Sequence, residues 1–172
     1  WFSSFNEQII YLSGLNTKKQ NVDLYDYDGN LYSGEMLGGK KVGSGKIVYK
    51  ETDMEYIGSF DNDLKNGKGK LKSKDDKFWY DGDWKNDKFD GKGTLVSDKI
   101  GQYFGDFKNG LFEGKGYLVE NNKNVYNGEF RGGKKNGEGE IVLNTGYTYK
   151  GGFKDDKYHG IGKMINPDKK VI

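Results

Sequence analysis

The sequence predicts an all-β chain: a single-layer elongated solenoid of six consecutive β-hairpins with a short N-terminal helix. Three observations predict this. Glycine is doubled, at 28 of 172 residues, against a usual share of about 7%. Aromatics reach 15% while hydrophobic residues in all are only 33%, which suits one thin apolar layer better than a thick two-layer core. A tyrosine–glycine–aromatic frame also recurs every 23 or 24 residues, the mark of a repeat architecture.

Residues 1–31 lie outside that frame. Trp1, Phe5, Ile9 and Leu12 follow one another at intervals of 4, 4 and 3, which is a helical stripe. SGLNTKKQN then reads as a break, and DLYDYDGN as a degenerate strand leading into the first hairpin. The helix is expected to cap the open sheet or to lie along its aromatic face. A partner-binding segment cut short is the other reading. The chain opens on Trp1 and not on methionine, which suggests a fragment or a processed form.

Residues 32–164 carry the repeat, in copies that start at Tyr32, Tyr56, Tyr80, Tyr103, Tyr126 and Tyr149. With the tyrosine as position 0, glycine stands at +2, an aromatic residue or Met36 at +4, glycine at +11 and +13, and an aliphatic residue or Met164 at +15. The frame uses 18 of the 28 glycines, so glycine is positional. Positions 0, +2 and +4 share one face of a strand, and +11, +13 and +15 share one face of a second. The loops between, such as DNDLKN and KNGLFE, have turn chemistry. Within a hairpin, 0 is expected to face +15, +2 to face +13 and +4 to face +11. The +4 ring would then lie over a glycine that leaves room for it. One hairpin alone is marginal, but six in series bury a continuous aromatic stripe. Residues 165–172 are a short tail with Pro167.

The pattern Y-x-G-x-(F/W), six residues, then G-x-G-x-aliphatic resembles the MORN repeat, the membrane occupation and recognition nexus family, across residues 32–164. The resemblance implies scaffolding or adaptor work inside the cell, in the cytoplasm or at a membrane or cytoskeletal face. It implies protein partners, and in some cases acidic phospholipids.

His159, the only histidine, stands before Gly160. The other copies carry Val42, Asn66, Asp90, Glu113 and Asn136 there, so the position needs no imidazole chemistry. GEMLGGKK and GEFRGGKK approach a phosphate loop but lack its Ser/Thr and a following helix,. DYDGN lacks the further acidic ligands of a calcium loop,. No cysteine is present to form disulfides or thiolate metal sites,. We therefore assign no catalytic residue, no cofactor and no metal.

With 28 basic and 26 acidic residues, the net charge of +2 is too small for a general nucleic-acid binder,. No apolar run reaches the length of a membrane helix,.

The candidate binding face is the aromatic stripe, with Tyr56, Phe60, Tyr80, Trp84, Tyr103, Phe107, Tyr126 and Phe130 lining a shallow groove. Such a groove suits a helix or extended peptide better than a small-molecule substrate. On the opposite face, Phe104 is expected opposite Tyr117 with Trp79 nearby, either as a contact patch or as a local aromatic cluster stabilising an exposed sheet,. Lys68, Lys70, Lys92 and Lys115 would contact lipid headgroups in a membrane-surface reading. The register that gives the opposite face, however, sets Asp83 against Lys92 and Asp106 against Lys115, which makes a charge-paired solvated face the simpler account. A third reading is an accessory domain of a larger enzyme.

Overall fold

A computed structural model of the chain describes residues 17–172. Two compact units divide the described residues, one ending at Lys88 and the other Phe89–Ile172. The helix expected at Trp1 to Leu12 lies outside the described residues. In the first unit, β1 (Gln20–Tyr25), β2 (Leu31–Leu37), β3 (Lys40–Val48), β4 (Glu55–Asp61), β5 (Leu64–Lys72) and β6 (Phe78–Lys85) pair antiparallel in chain order. In the second, β7 (Lys88–Ser97), β8 (Gly101–Lys108), β9 (Leu111–Glu120), β10 (Val125–Arg131), β11 (Lys134–Val142), β12 (Thr148–Lys154) and β13 (Lys157–Ile165) do the same. No helix occurs among the described residues, and each unit is an open antiparallel sheet.

The segment before the first copy is a strand in phase with the repeat. In β1, Val22 stands opposite Gly34 and Leu24 opposite Tyr32. These are the rungs that +13 and +15 occupy beside each following copy. The Asp26 carboxylate closes the turn after it, accepting from the backbone N–H groups of Asp28 and Asn30 at 3.0 and 2.9 Å.

The six-residue loops contract to two-residue turns: Gly38–Gly39, Asn62–Asp63, Asn86–Asp87, Asn109–Gly110, Gly132–Gly133 and Asp155–Asp156. Every one of these residues has positive φ, the requirement of the type I′ turns that match strand twist. Gly, Asn and Asp are the residues that tolerate it.

The register departs from expectation beyond the +2 rung. Positions 0 and +15 pair as predicted (Tyr126 with Ile141), as do +2 and +13 (Gly128 with Gly139). A bulge then intervenes, and the +4 residue faces +9, as Phe130 faces Lys135. The +11 glycine sits in the bulge with positive φ, +87° at Gly137, and it faces the +4 aromatic of the next copy, Phe153. Gly43 with Phe60, Gly67 with Trp84, Gly91 with Phe107 and Gly114 with Phe130 repeat that pairing. The aromatic–glycine match is therefore made between copies and not inside one.

The ring that lies over glycine inside a hairpin is the tyrosine. A Cβ on Gly139 would stand 2.5 to 2.7 Å from the Tyr126 ring and hydroxyl. The same holds at Gly45, Gly69, Gly116 and Gly162 beneath Tyr32, Tyr56, Tyr103 and Tyr149. Each tyrosine hydroxyl then reaches the carbonyl at +3, where the bulge interrupts the ladder, and donates to it at 2.7–3.1 Å. A buried hydroxyl and a buried carbonyl thus satisfy each other.

Edge-to-face ring contacts build the core. Tyr56 meets Phe60 of its own copy and Trp84 of the next, both at 5.1 Å. Tyr126 meets Phe130 and Phe153 at 5.1 and 4.9 Å. Such pairs contribute about 0.5–1.5 kcal/mol each beyond area burial.

Burial and neighbouring carboxylates push the phenol of Tyr126 up to about 12, with the Glu129 charge the largest electrostatic contribution. Burial also raises Tyr56 and Tyr103. A phenol raised in the folded state contributes stability that is complete below pH 10 and is lost as pH climbs through the folded value. The chain is therefore expected to keep its full stability to about pH 10 and to unfold cooperatively between about pH 10 and 12. Exposed tyrosines such as Tyr25 and Tyr27 can ionise with the sheet intact, so it is the last part of the tyrosinate absorbance, from the buried phenols, that should rise together with the loss of circular dichroism. Full tyrosinate absorbance with the sheet intact would contradict the buried hydroxyls.

Candidate protein-binding faces

The eight aromatics expected to line a groove form the core. Tyr56, Tyr80, Tyr103 and Tyr126 are 0% exposed, and Phe60, Trp84, Phe107 and Phe130 are at most 5%. A single sheet was expected to leave its apolar side uncovered; the chain covers it itself, with position +9. Phe112 stacks on Tyr103 at 3.8 Å and 10°, and Tyr158 on Tyr149 at 4.0 Å and 26°. Where +9 is lysine, its ammonium takes the ring: Lys41 over Tyr32, Lys65 over Tyr56 and Lys135 over Tyr126, each at 5.6 Å. Tyr32, Tyr56, Tyr103, Tyr126 and Tyr149 are each closed between glycine below and a cation or ring above,.

Position +9 is also tied to the turn of the next copy. Lys41, Lys65 and Lys135 donate their backbone N–H to the carboxylates of Asp63, Asp87 and Asp156, each at 2.9 Å. Where +9 is Phe89 or Phe112, the residue in that turn is Gly110 or Gly133, whose N–H donates to the phenylalanine carbonyl at 2.8 and 2.9 Å. Lysine is matched by aspartate and phenylalanine by glycine. Phe89, Phe112 and Tyr158 read as scattered loop apolars in sequence. Their shared phase with the three lysines is the signal that identifies them as the lid of the core.

Lys65 and Lys135 are largely enclosed on this face. Burial opposes the Lys65 charge, but Tyr49 and Asp87 outweigh it and hold the ammonium above its usual range. Lys135 is paired with Glu120. Burial alone would raise the Glu120 carboxyl; Lys135 and Asn124 hold it below the usual value.

In the second unit the inner face keeps two open hollows, of about 510 and 480 Å3. The first has Phe112, Leu118 and Phe130 in its lining, and the second has Ile141, Leu143, Phe153 and Tyr158.

On the outer face, Phe104 pairs across strands with Tyr117, and they are 63% and 44% exposed. Trp79 belongs to the first unit, where the Lys70 ammonium sits 5.0 Å from its ring centre. Lys68 pairs with Asp83 at 2.7 Å and Lys92 with Asp106 at 2.8 Å. Lys115 stands opposite Glu129. The expected Asp106–Lys115 rung is not formed: the bulge sets Asp106 opposite Glu113, so this lysine meets the acid of the following copy. Lysines matched one for one by acids do not make a basic surface, and such exposed pairs contribute only about 0–1 kcal/mol.

Among the described residues no group of three or more His, Cys, Asp or Glu could hold a metal ion. His159 is exposed, in edge strand β13. His159→Asn, which copies Asn66 and Asn136, is expected to change stability by less than about 0.5 kcal/mol. A thermal melt checks this, and a partner-binding assay is expected to give the parent's result; loss of binding or of any activity in this variant would restore a chemical role for the imidazole.

One-sheet hairpins, buried tyrosines over paired glycines and aromatic contacts between copies define a β-hairpin repeat protein. The MORN repeat family matches six times, at residues 32–54, 56–77, 80–99, 103–119, 126–146 and 149–171, and the chain belongs to that family. No curated protein sequence matches it. Among solved structures, it is similar to the TCP domain of SAS-4 (dCPAP) of Drosophila melanogaster, solved in complex with a proline-rich motif of Ana2 (dSTIL). The TM-score is 0.49 at 11% identity, over 90% of this chain and 87% of that one. It is also similar to the TCP10 domain of Danio rerio CPAP in complex with a peptide of Danio rerio STIL. Here the TM-score is 0.41 at 13% identity, over 90% and 82% of the two chains.

Proposed function

We propose that the chain is a non-catalytic scaffold that binds a helix or peptide of a partner protein along its inner face, as a subunit of a larger cytoskeletal or membrane-associated assembly. The pair of open hollows on the inner face of the second unit, lined by both apolar and charged side chains, carries the reading. The core aromatics of that unit would form the support and the floor, while Tyr158, 47% exposed, and the exposed Asp156 and Lys157 beside it would make most of the contact. Concave sites with apolar floors and a few polar groups are where ligands are held.

The charge-matched outer face does not favour acidic lipid as the ligand. The test compares partner capture by the parent chain, Tyr158→Asp and the pair Phe104→Ser with Tyr117→Ser, beside cosedimentation with phosphoinositide vesicles. Loss of the partner in Tyr158→Asp alone is the expected result. Loss in the outer pair alone would move the site to the outer patch. Vesicle binding abolished by Lys68→Ala with Lys92→Ala would replace the protein reading with the lipid one.

A further inference from the structure

We propose that residues 1–16 pack over the inner side of β1 and close the first edge of the sheet, with the apolar stripe Trp1, Phe5, Ile9 and Leu12 turned onto Val22 and Leu24. This contact lies in the first unit and is independent of partner binding by the second.

Burial on an edge strand points to it. Among the described strands β1 pairs only with β2, so the side chains of its inner side lack a neighbouring strand on their far flank. Val22 and Leu24 are nevertheless each 5% exposed. Leu24 holds the rung of +15. At that rung Ile47, Leu118 and Ile141 are 5–6% exposed, each with a paired strand on both sides. Leu71, also between two strands, is more exposed than Leu24. Met164, at the same position in edge strand β13, is only half-buried. Leu24 is thus as enclosed as an interior residue, and the segment that runs into β1 through residues 17–19 is the one placed to enclose it.

A further repeat strand does not fit in that place. It would need glycine opposite it at +11, which takes positive φ in the bulge, and at +13, beneath the tyrosine ring. β1 carries Gln20 and Val22 there, and Gln20 does not have positive φ. Residues 1–16 offer instead four large apolar side chains at helical spacing,. A helix from Trp1 to Leu12 would be about 18 Å long, and the six residues of β1 extend about 20 Å,. One face of the helix therefore matches the length of the strand. The seven residues between Leu12 and Gln20 include Gly14 and leave room for the chain to reverse,. Terminal caps of this kind keep repeat arrays soluble.

The chain has no cysteine, so one introduced thiol reports the cover at one site. Leu24→Cys and Met164→Cys are each made in the whole chain and reacted with an aromatic disulfide reagent. Each is also combined with Ile9→Asp, on the stripe, and with Ser3→Asp, on the opposite side of the same helix. The Leu24→Cys thiol should react at least about ten-fold more slowly than the Met164→Cys thiol, as buried cysteines do beside accessible ones. Ile9→Asp should bring the first up to the rate of the second and leave the second unchanged, and Ser3→Asp should alter neither. Equal rates without the aspartates, or a Leu24→Cys thiol that stays slow with Ile9→Asp, would each overturn the proposal. If Ile9→Asp speeds both thiols alike, the whole chain has unfolded and Ile9→Ala decides. It should speed the Leu24→Cys thiol alone; no change there overturns the proposal.

Discussion

Trp84→Ala is expected to lower stability by about 3–5 kcal/mol, the usual range for emptying a buried aromatic site. Trp84 is 4% exposed. Its indole N–H donates to the Gly69 carbonyl at 2.9 Å, and its ring stands edge-on to Tyr56 and Tyr80 at 5.1 and 5.3 Å. Alanine removes the donor and both ring contacts, and no second sheet stands behind the site to collapse into the space. Urea denaturation read by circular dichroism measures the loss. Trp84→Phe should cost much less, about 1–2 kcal/mol, because Phe60, Phe107, Phe130 and Phe153 fill this position elsewhere,. An alanine variant as stable as the parent would mean the ring is not core. Because this residue supports the fold, its removal does not report on partner binding, and exposed Tyr158 is the proper probe.

Gly139→Ala is expected to cost about 2–3 kcal/mol, within the range for overpacking a filled core. The new methyl would stand 2.5–2.7 Å from three atoms of Tyr126. That ring cannot retreat, since Lys135 lies over it and its hydroxyl is bonded to the Glu129 carbonyl at 2.9 Å. The contrasting variant is Gly110→Asp. Gly110 has positive φ, which Gly139 has not, but a Cβ there meets nothing within 4 Å, and Asp63, Asp87 and Asp156 hold the same turn position at positive φ. Its stability should stay within about 0.5 kcal/mol of the parent. An alanine at Gly139 that costs no more than the aspartate at Gly110 would show that room for the tyrosine does not account for the paired glycines.

The hairpins and three of their rungs, 0 with +15, +1 with +14 and +2 with +13, were legible because strand periodicity is two and the frame holds its phase through six copies. The bulge was not. Its residues, Gly137 and Glu138 in copy 5, look like any alternation in the sequence, and only the pairing of Phe130 with Lys135 shows that two residues have been skipped. Everything beyond that rung moves with it: the aromatic–glycine match passes to the neighbouring copy, and so do the Lys68–Asp83 and Lys92–Asp106 pairs. The candidate site shifted for a related reason. Tyrosines and phenylalanines on one face of a single layer suggest an open groove, but residues assigned to a loop turned out to be strand, which brought position +9 over the rings.

The sequence by itself determined the class of this protein. Tyrosine, paired glycines and an aromatic at fixed spacing can be satisfied only by a hairpin in which the ring lies over bare backbone, repeated until neighbours cover one another. It also determined that His159 has no special role in the frame, since five other residues take its place. Only the tertiary structure decided which surfaces are left for a partner. Exposure depends on what stands above a side chain, and here that is a residue nine positions on, held by the turn of the following copy. The same dependence decides which acid Lys135 answers: Asp156 and Glu120 are 36 residues apart in the chain, and the fold gives its ammonium to Glu120.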